Sequence, residues 1–111
     1  MKAYDARALA AGAVSGSGNR PGTALAYDAP DARVVVFRID PGQAVTPHTS
    51  PSTVILSIAA GRGTVSGAEG ERAVRAGDVI AYEPNEPHGM RADGEQLVVL
   101  AVIAPGPGRA R

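Results

Sequence analysis

At 111 residues, 44% of them apolar, the chain is long enough to bury one core without disulfides or bound ions. It has no cysteine, which excludes a thiolate nucleophile, a disulfide framework and any cysteine-based metal site. Its 11 basic and 11 acidic residues cancel to a formal charge of zero with no long run of either sign, which argues against nucleic acid or an anionic membrane surface as a partner.

The N-terminal string MKAYDARALAAGAV puts Asp5 and Arg7 where an export signal needs an apolar run, so it does not read as a signal peptide. No segment approaches the span of a transmembrane helix. A cytoplasmic protein is therefore expected, and ten arginines against one lysine point to a GC-rich, bacterial genome. Tyr4 to Ala13 is alanine-rich and predicts a short helix or helical turn, and SGSGNRPG from Ser15 to Gly22 predicts a loop.

Beyond that loop the signals turn to strand. Arg33–Asp40, Ser52–Ala60, Arg62–Ser66, Glu71–Arg75, Asp78–Tyr82, His88–Ala92 and Glu95–Ile103 are short and apolar or β-branched, and Gly, Pro, Asn or Asp separate them. VSGAEGERAV reads as a hairpin turning at Gly67 to Gly70, and APGPGRAR as a frayed end. The expected fold is all-β, a small antiparallel jelly-roll barrel in one domain. Residues 1–32 form an N-terminal arm and first-strand region, 33–103 the barrel and 104–111 a flexible tail.

Period two sets the faces, because successive side chains of a strand point to opposite sides. His48 and Ser50 share a face, and Val54, Leu56 and Ile58 join it if the phase is kept. The opposite set, Ile55, Ser57 and Ala59, is uncharged too, and both faces of Leu97–Val102 are apolar. Such strands need a second cover, either the N-terminal arm or another copy of the chain. A homodimer is expected, with Ile55 or Val98 in its interface and the N-terminal segment pairing across the subunit boundary.

The two histidines, His48 and His88, each sit in a glycine-anchored stretch. Gly42, five residues, His48, and then Gly61 resemble the cupin pattern GxxxxxHxHxxxExxxxxxG. GDVIAYEPNEPHGMRA resembles GxxxxxPxGxxHxxxN, with Gly77 opening it and His88 at the histidine. The resemblance to a small single-domain bacterial cupin covers Gly42 to Ala92 and implies a cupin barrel. The family's usual metal set is two histidines and a glutamate from the first motif and one histidine from the second. Here Ser50 stands at the second histidine and Val54 at the glutamate, while Glu83, Asn85 and Ala92 replace the second motif's proline, glycine and asparagine. Asn85 tolerates the positive backbone angle of a turn glycine.

The resemblance thus implies metal at His48 and His88 only as a weakly bound divalent ion, because stable sites use three or four ligands. No cofactor is expected with certainty. The expected function is binding of a small organic ligand in an apolar pocket formed by His48, Ser50, Val54, Leu56, Tyr82, His88 and Met90. The alternative is a metal-dependent cupin enzyme of dioxygenase, decarboxylase or isomerase type with an incomplete two-histidine site. Catalysis needs paired groups with separated roles, and no third member accompanies the histidine pair.

Overall fold

A computed structural model describes residues 1–16 and 18–107 of the chain. A single short helix, α1 (Ala6–Gly12), precedes ten strands among these residues. In chain order they are β1 (Val14–Ser15), β2 (Gly22–Asp28), β3 (Arg33–Ile39), β4 (Ala44–His48) and β5 (Thr53–Ala60). They continue as β6 (Arg62–Gly67), β7 (Gly70–Arg75), β8 (Val79–Tyr82), β9 (His88–Ala92) and β10 (Leu97–Ala104). The seven segments expected from β-branched runs all form strands. β1, β2 and β4 are additional: β1 is only two residues long, GTALAYD is rich in small residues, and AVTPH contains Pro47. Proline cannot donate to a ladder and is confined to edges, and β4 is indeed the edge of its sheet.

The strands form two antiparallel sheets, one of six in the order β1-β2-β3-β10-β5-β8 and one of four in the order β4-β9-β6-β7. They make a jelly-roll, the double-stranded β-helix arrangement, and do not close into a continuous hydrogen-bonded barrel. Among the connections through which the chain changes sheet are two irregular corners, residues 49–52 between β4 and β5 and residues 83–87 between β8 and β9. Strand ladders stop at those corners, and so does closure.

Inward faces follow period two. Val54, Leu56 and Ile58 of β5 pack with Leu97, Val99 and Ala101 of β10 and Ile39 of β3, all buried, against Val65, Met90 and Ala92 of the other sheet. Burying such side chains contributes about 1.5–3 kcal/mol each. The hairpin from β6 to β7 turns between Gly67 and Gly70, as the sequence predicts.

The outward face of the six-stranded sheet is covered by the chain's own arm over part of its area. Ala10 of α1 packs on Val36 and Val98, with Leu9, Leu100, Ala59 and Ala60 around them. Asp5 caps the helix by accepting the Arg7 and Ala8 N–H groups. Arg38 reaches up from β3 and donates to the Ala10 and Ala13 carbonyls at 3.1 and 2.9 Å and to Ser15 Oγ at 3.2 Å. The Ala10 carbonyl also accepts the Ala13 N–H at 3.1 Å, so Arg38 adds a second donor there and one to the Ala13 carbonyl, tying the end of the helix to the sheet.

Two expectations change here. Val98 is 3% exposed beneath α1, so it is not a surface residue of this chain. Both faces of the first half of β10 are apolar, and the arm covers the outer one. The tail is also pinned as far as it is described: Ser52 Oγ donates to the Pro105 carbonyl at 2.7 Å, and the Gly106 N–H to the Pro30 carbonyl at 3.0 Å. Residues 108–111 of the expected flexible tail lie outside the described residues. Beyond α1 the outer face keeps an uncovered row, Tyr27, Val34, Val102 and Ile55, which are register neighbours on β2, β3, β10 and β5. Ile55 and Tyr27 are each 38% exposed.

Candidate functional site

Two of the sheet-changing corners, those after β4 and after β8, meet. The Asn85 N–H donates to the Ser50 carbonyl at 2.7 Å, which ties the corner after β8 to the corner after β4. Asn85 does so at φ 68°, the left-handed conformation its side chain tolerates. His48 is the last residue of β4 and His88 the first of β9, and the two are direct partners across that ladder. Between them and the next pair the ladder of β4 shifts register after Val45. Gly89 permits the close approach, because a Cβ there would come within 3.1 Å of Ser66 Oγ, the Val45 carbonyl and the Pro47 nitrogen.

The imidazole rings lie with centroids 4.2 Å apart and planes inclined by 60°. His88 is buried, whereas His48 sits at the rim and is exposed. Each Nδ1 meets the backbone carbonyl two residues upstream, His48 with Thr46 at 3.1 Å and His88 with Glu86 at 3.0 Å. A carbonyl oxygen only accepts, so each Nδ1 carries a proton. In the neutral ring Nε2 then presents a lone pair. No described residue bonds to either Nε2.

Both rings line one cavity of about 350 Å³, near the small end of the range for ligand pockets, roughly 300–1,000 Å³. Of the residues expected in the pocket, His48, Ser50, Val54, Leu56, His88 and Met90 line it. Tyr82 does not. Its hydroxyl donates to the Ser66 carbonyl at 2.8 Å and its ring lies 5.2 Å from the His88 ring, so it supports His88 from outside the cavity. Burial, and secondly the Glu86 carboxylate, push the Tyr82 phenol above its ordinary pKa, which keeps it a neutral donor.

Residues the sequence did not single out also line the wall, among them Phe37, Val45, Ala101 and Ile103 from strands, and Pro107 from the pinned tail. The strand members were accessible to period two, since Ala101 and Ile103 alternate with outward Val102 on β10. Pro107 was not, because its place depends on contacts of the tail with Ser52 and Pro30.

The residues present do not fit a resident metal. The donor set is two imidazoles, and no cluster of three or more His, Asp or Glu side chains exists among the described residues. Val54 is buried and supplies no donor atom, and Ser50 Oγ already accepts the Ser52 N–H at 3.1 Å. Glu86 does not join the pair: its carboxylate accepts the Glu83 N–H at 3.2 Å and lines a separate depression beside Tyr82.

A family model described as Cupin domain matches residues 35–103. The fold is similar to that of a protein from Thermus thermophilus, with a TM-score of 0.85 and 22% identity over 96% of this chain and 100% of that one. It is similar also to an uncharacterized conserved protein with a double-stranded β-helix domain from Klebsiella pneumoniae, with a TM-score of 0.82 and 23% identity over 96% of this chain and 92% of that one. A predicted oxalate decarboxylase from Thermotoga maritima aligns with a TM-score of 0.73 and 25% identity over 77% of this chain and 80% of that one. No curated protein matches the chain.

Proposed function

The chain belongs to the cupin family, and on that premise we propose that it binds a small organic ligand in the cavity beneath His48 and His88. The observation that carries this reading is the cavity wall: an uncharged, mostly apolar lining into which two imidazoles are set side by side. Apolar walls supply affinity, and a few placed polar groups fix orientation. A metal-dependent enzyme would need a donor set that two imidazoles do not make. Methyl NMR with 3-phenylpropanol is the test. Saturable shifts are expected at Val54, Leu56, Met90, Ala101 and Ile103, whereas shifts absent at millimolar ligand, or scattered over the surface, would sink the reading.

Two copies of the chain associate through the uncovered outer row. Exposed Ile55 and its neighbours Val102 and Val34 support this, with Val98 excluded because α1 covers it. Light scattering should give a dimer mass for the parent and a monomer mass for Ile55→Asp. A parent that stays monomeric at micromolar concentration removes the dimer.

A further inference from the structure

Resting on the ligand-binding reading, we propose that residues 104–107 form a strap that closes one side of the cavity over its ligand, with Ser52 and Gly106 as the residues that position it. Strand β10 carries the chain to Ala104, and Pro107 beyond it lines the cavity. The other wall residues divide by exposure. Val54, Leu56, Met90 and Ala101 are buried, whereas His48, Thr49 and Pro51 are exposed. The mouth therefore lies along the corner after β4, and half-buried Pro107 belongs to its edge.

Two anchors on different segments hold the strap. The hydroxyl of buried Ser52 donates to the Pro105 carbonyl at 2.7 Å, and the Gly106 N–H donates to the Pro30 carbonyl, between β2 and β3, at 3.0 Å. The Ser52 N–H in turn donates to Ser50 Oγ at 3.1 Å, so the first anchor stands on the corner that lines the cavity. Gly106 is buried in a slot where a Cβ would overlap the Ala29 carbonyl oxygen. Its φ is not in the left-handed region, so close approach and not backbone angle demands glycine there. Ala29 belongs to a turn closed by its own N–H to the Ala32 carbonyl at 3.0 Å. The strap thus seats against backbone that a side chain could not push aside.

Such a strap can lift while the sheets stay intact, because it follows the last strand and neutral hydrogen bonds contribute only modestly to stability. Pro105 is exposed, so water replaces Ser52 at its carbonyl when the strap opens. Strand β10, paired on both sides, opens far more rarely. A ligand seated against Leu56, Met90 and Ile103 meets Pro107 only while the strap is down. Lifting it exposes that flank of the ligand to water. A ligand shifts an equilibrium by the difference in its contacts with the two states, so it favours the closed strap, and by reciprocity the closed strap strengthens binding.

The test is exchange of the Gly106 N–H with water, followed by NMR while 3-phenylpropanol is added. Where opening the strap and holding the ligand exclude each other, exchange slows by about tenfold at a free ligand concentration roughly ten times Kd. The Gln43 N–H, bonded to the Asp40 carbonyl in a turn outside the cavity lining, should not respond. Ser52→Ala should speed Gly106 exchange in the free protein by about two- to tenfold. Gly106→Ala, whose methyl group lifts the strap, should weaken binding by about tenfold. Saturable methyl shifts at Val54 and Leu56 with Gly106 exchange unchanged overturn this inference and leave the pocket reading standing. Parent-like affinity in Gly106→Ala does the same. Should that variant fail to fold, parent-like Gly106 exchange in Ser52→Ala is the overturning result. No binding of 3-phenylpropanol removes both readings.

Discussion

Replacing Gly61 with alanine is expected to lower the melting temperature by about 15 °C or more, the largest effect of any single substitution considered for this chain. Gly61 joins β5 to β6 at φ 78°, where an L side chain is already strained. A Cβ there would also overlap the Gln96 carbonyl oxygen just before β10. Backbone cannot swing aside as a flexible side chain does, so the start of β10, the strand that pairs with both β3 and β5, must shift. The cost is about 4 kcal/mol or more. Gly77 is the internal control. Its φ is 99°, but nothing lies within 4 Å of its would-be Cβ. Gly77→Ala pays the left-handed conformation alone, about 1–2 kcal/mol. Thermal unfolding followed by circular dichroism separates the two, and melting of Gly61→Ala within a few degrees of Gly77→Ala would show that β10 yields more easily than its pairing implies.

The second large effect is a gain. Ser50→His combined with Val54→Glu is expected to raise affinity for zinc, nickel or manganese by at least about a hundredfold, because it brings the donor set from two to four. All four positions face one cavity, which makes the arrangement geometrically available. The parent should hold any such ion weakly and release it to a chelator without unfolding. Without metal the double variant buries a carboxylate at a site that is 4% exposed as valine, so it should be less stable than the parent until metal is added. Calorimetric titration and melting curves with and without metal give both halves. Tight stoichiometric binding by the parent would contradict the account of the site, as would a double variant that binds no better.

Much of this molecule is written locally in its sequence. The β-branched runs VVVF, VILSI and LVVLAV marked strands, and period two put Val54, Leu56 and Ile58 on the face of His48, since alternate side chains must face opposite sides; in LVVLAV both faces are apolar, so alternation alone chose neither. Glycines and Asn85 marked the corners, because few other residues adopt positive φ. The spacing of His48, Ser50, Val54 and His88 carried the family resemblance and also the loss of its metal ligands. Those positions then met in one cavity.

What depended on distant contacts was not legible. Tyr82 was expected among the pocket residues, but the Ser66 carbonyl on another sheet captures its hydroxyl. Pro107 reads as part of a loose tail, but two residues before it the Pro105 carbonyl accepts from Ser52, 53 residues earlier than Pro105. Val98 belonged to an outer face that needed a cover, and only packing showed that α1 takes that place over Val98 while leaving Ile55 bare. The chemistry of the site is of the same kind. Sequence supplied two imidazoles, but the carbonyls of Thr46 and Glu86 decide which nitrogen of each carries the proton, and the 4.2 Å between the rings comes from a β4–β9 ladder that no local pattern specifies. Composition and alternation act residue by residue, whereas tautomer, ring spacing and cavity closure are set where separate strands meet.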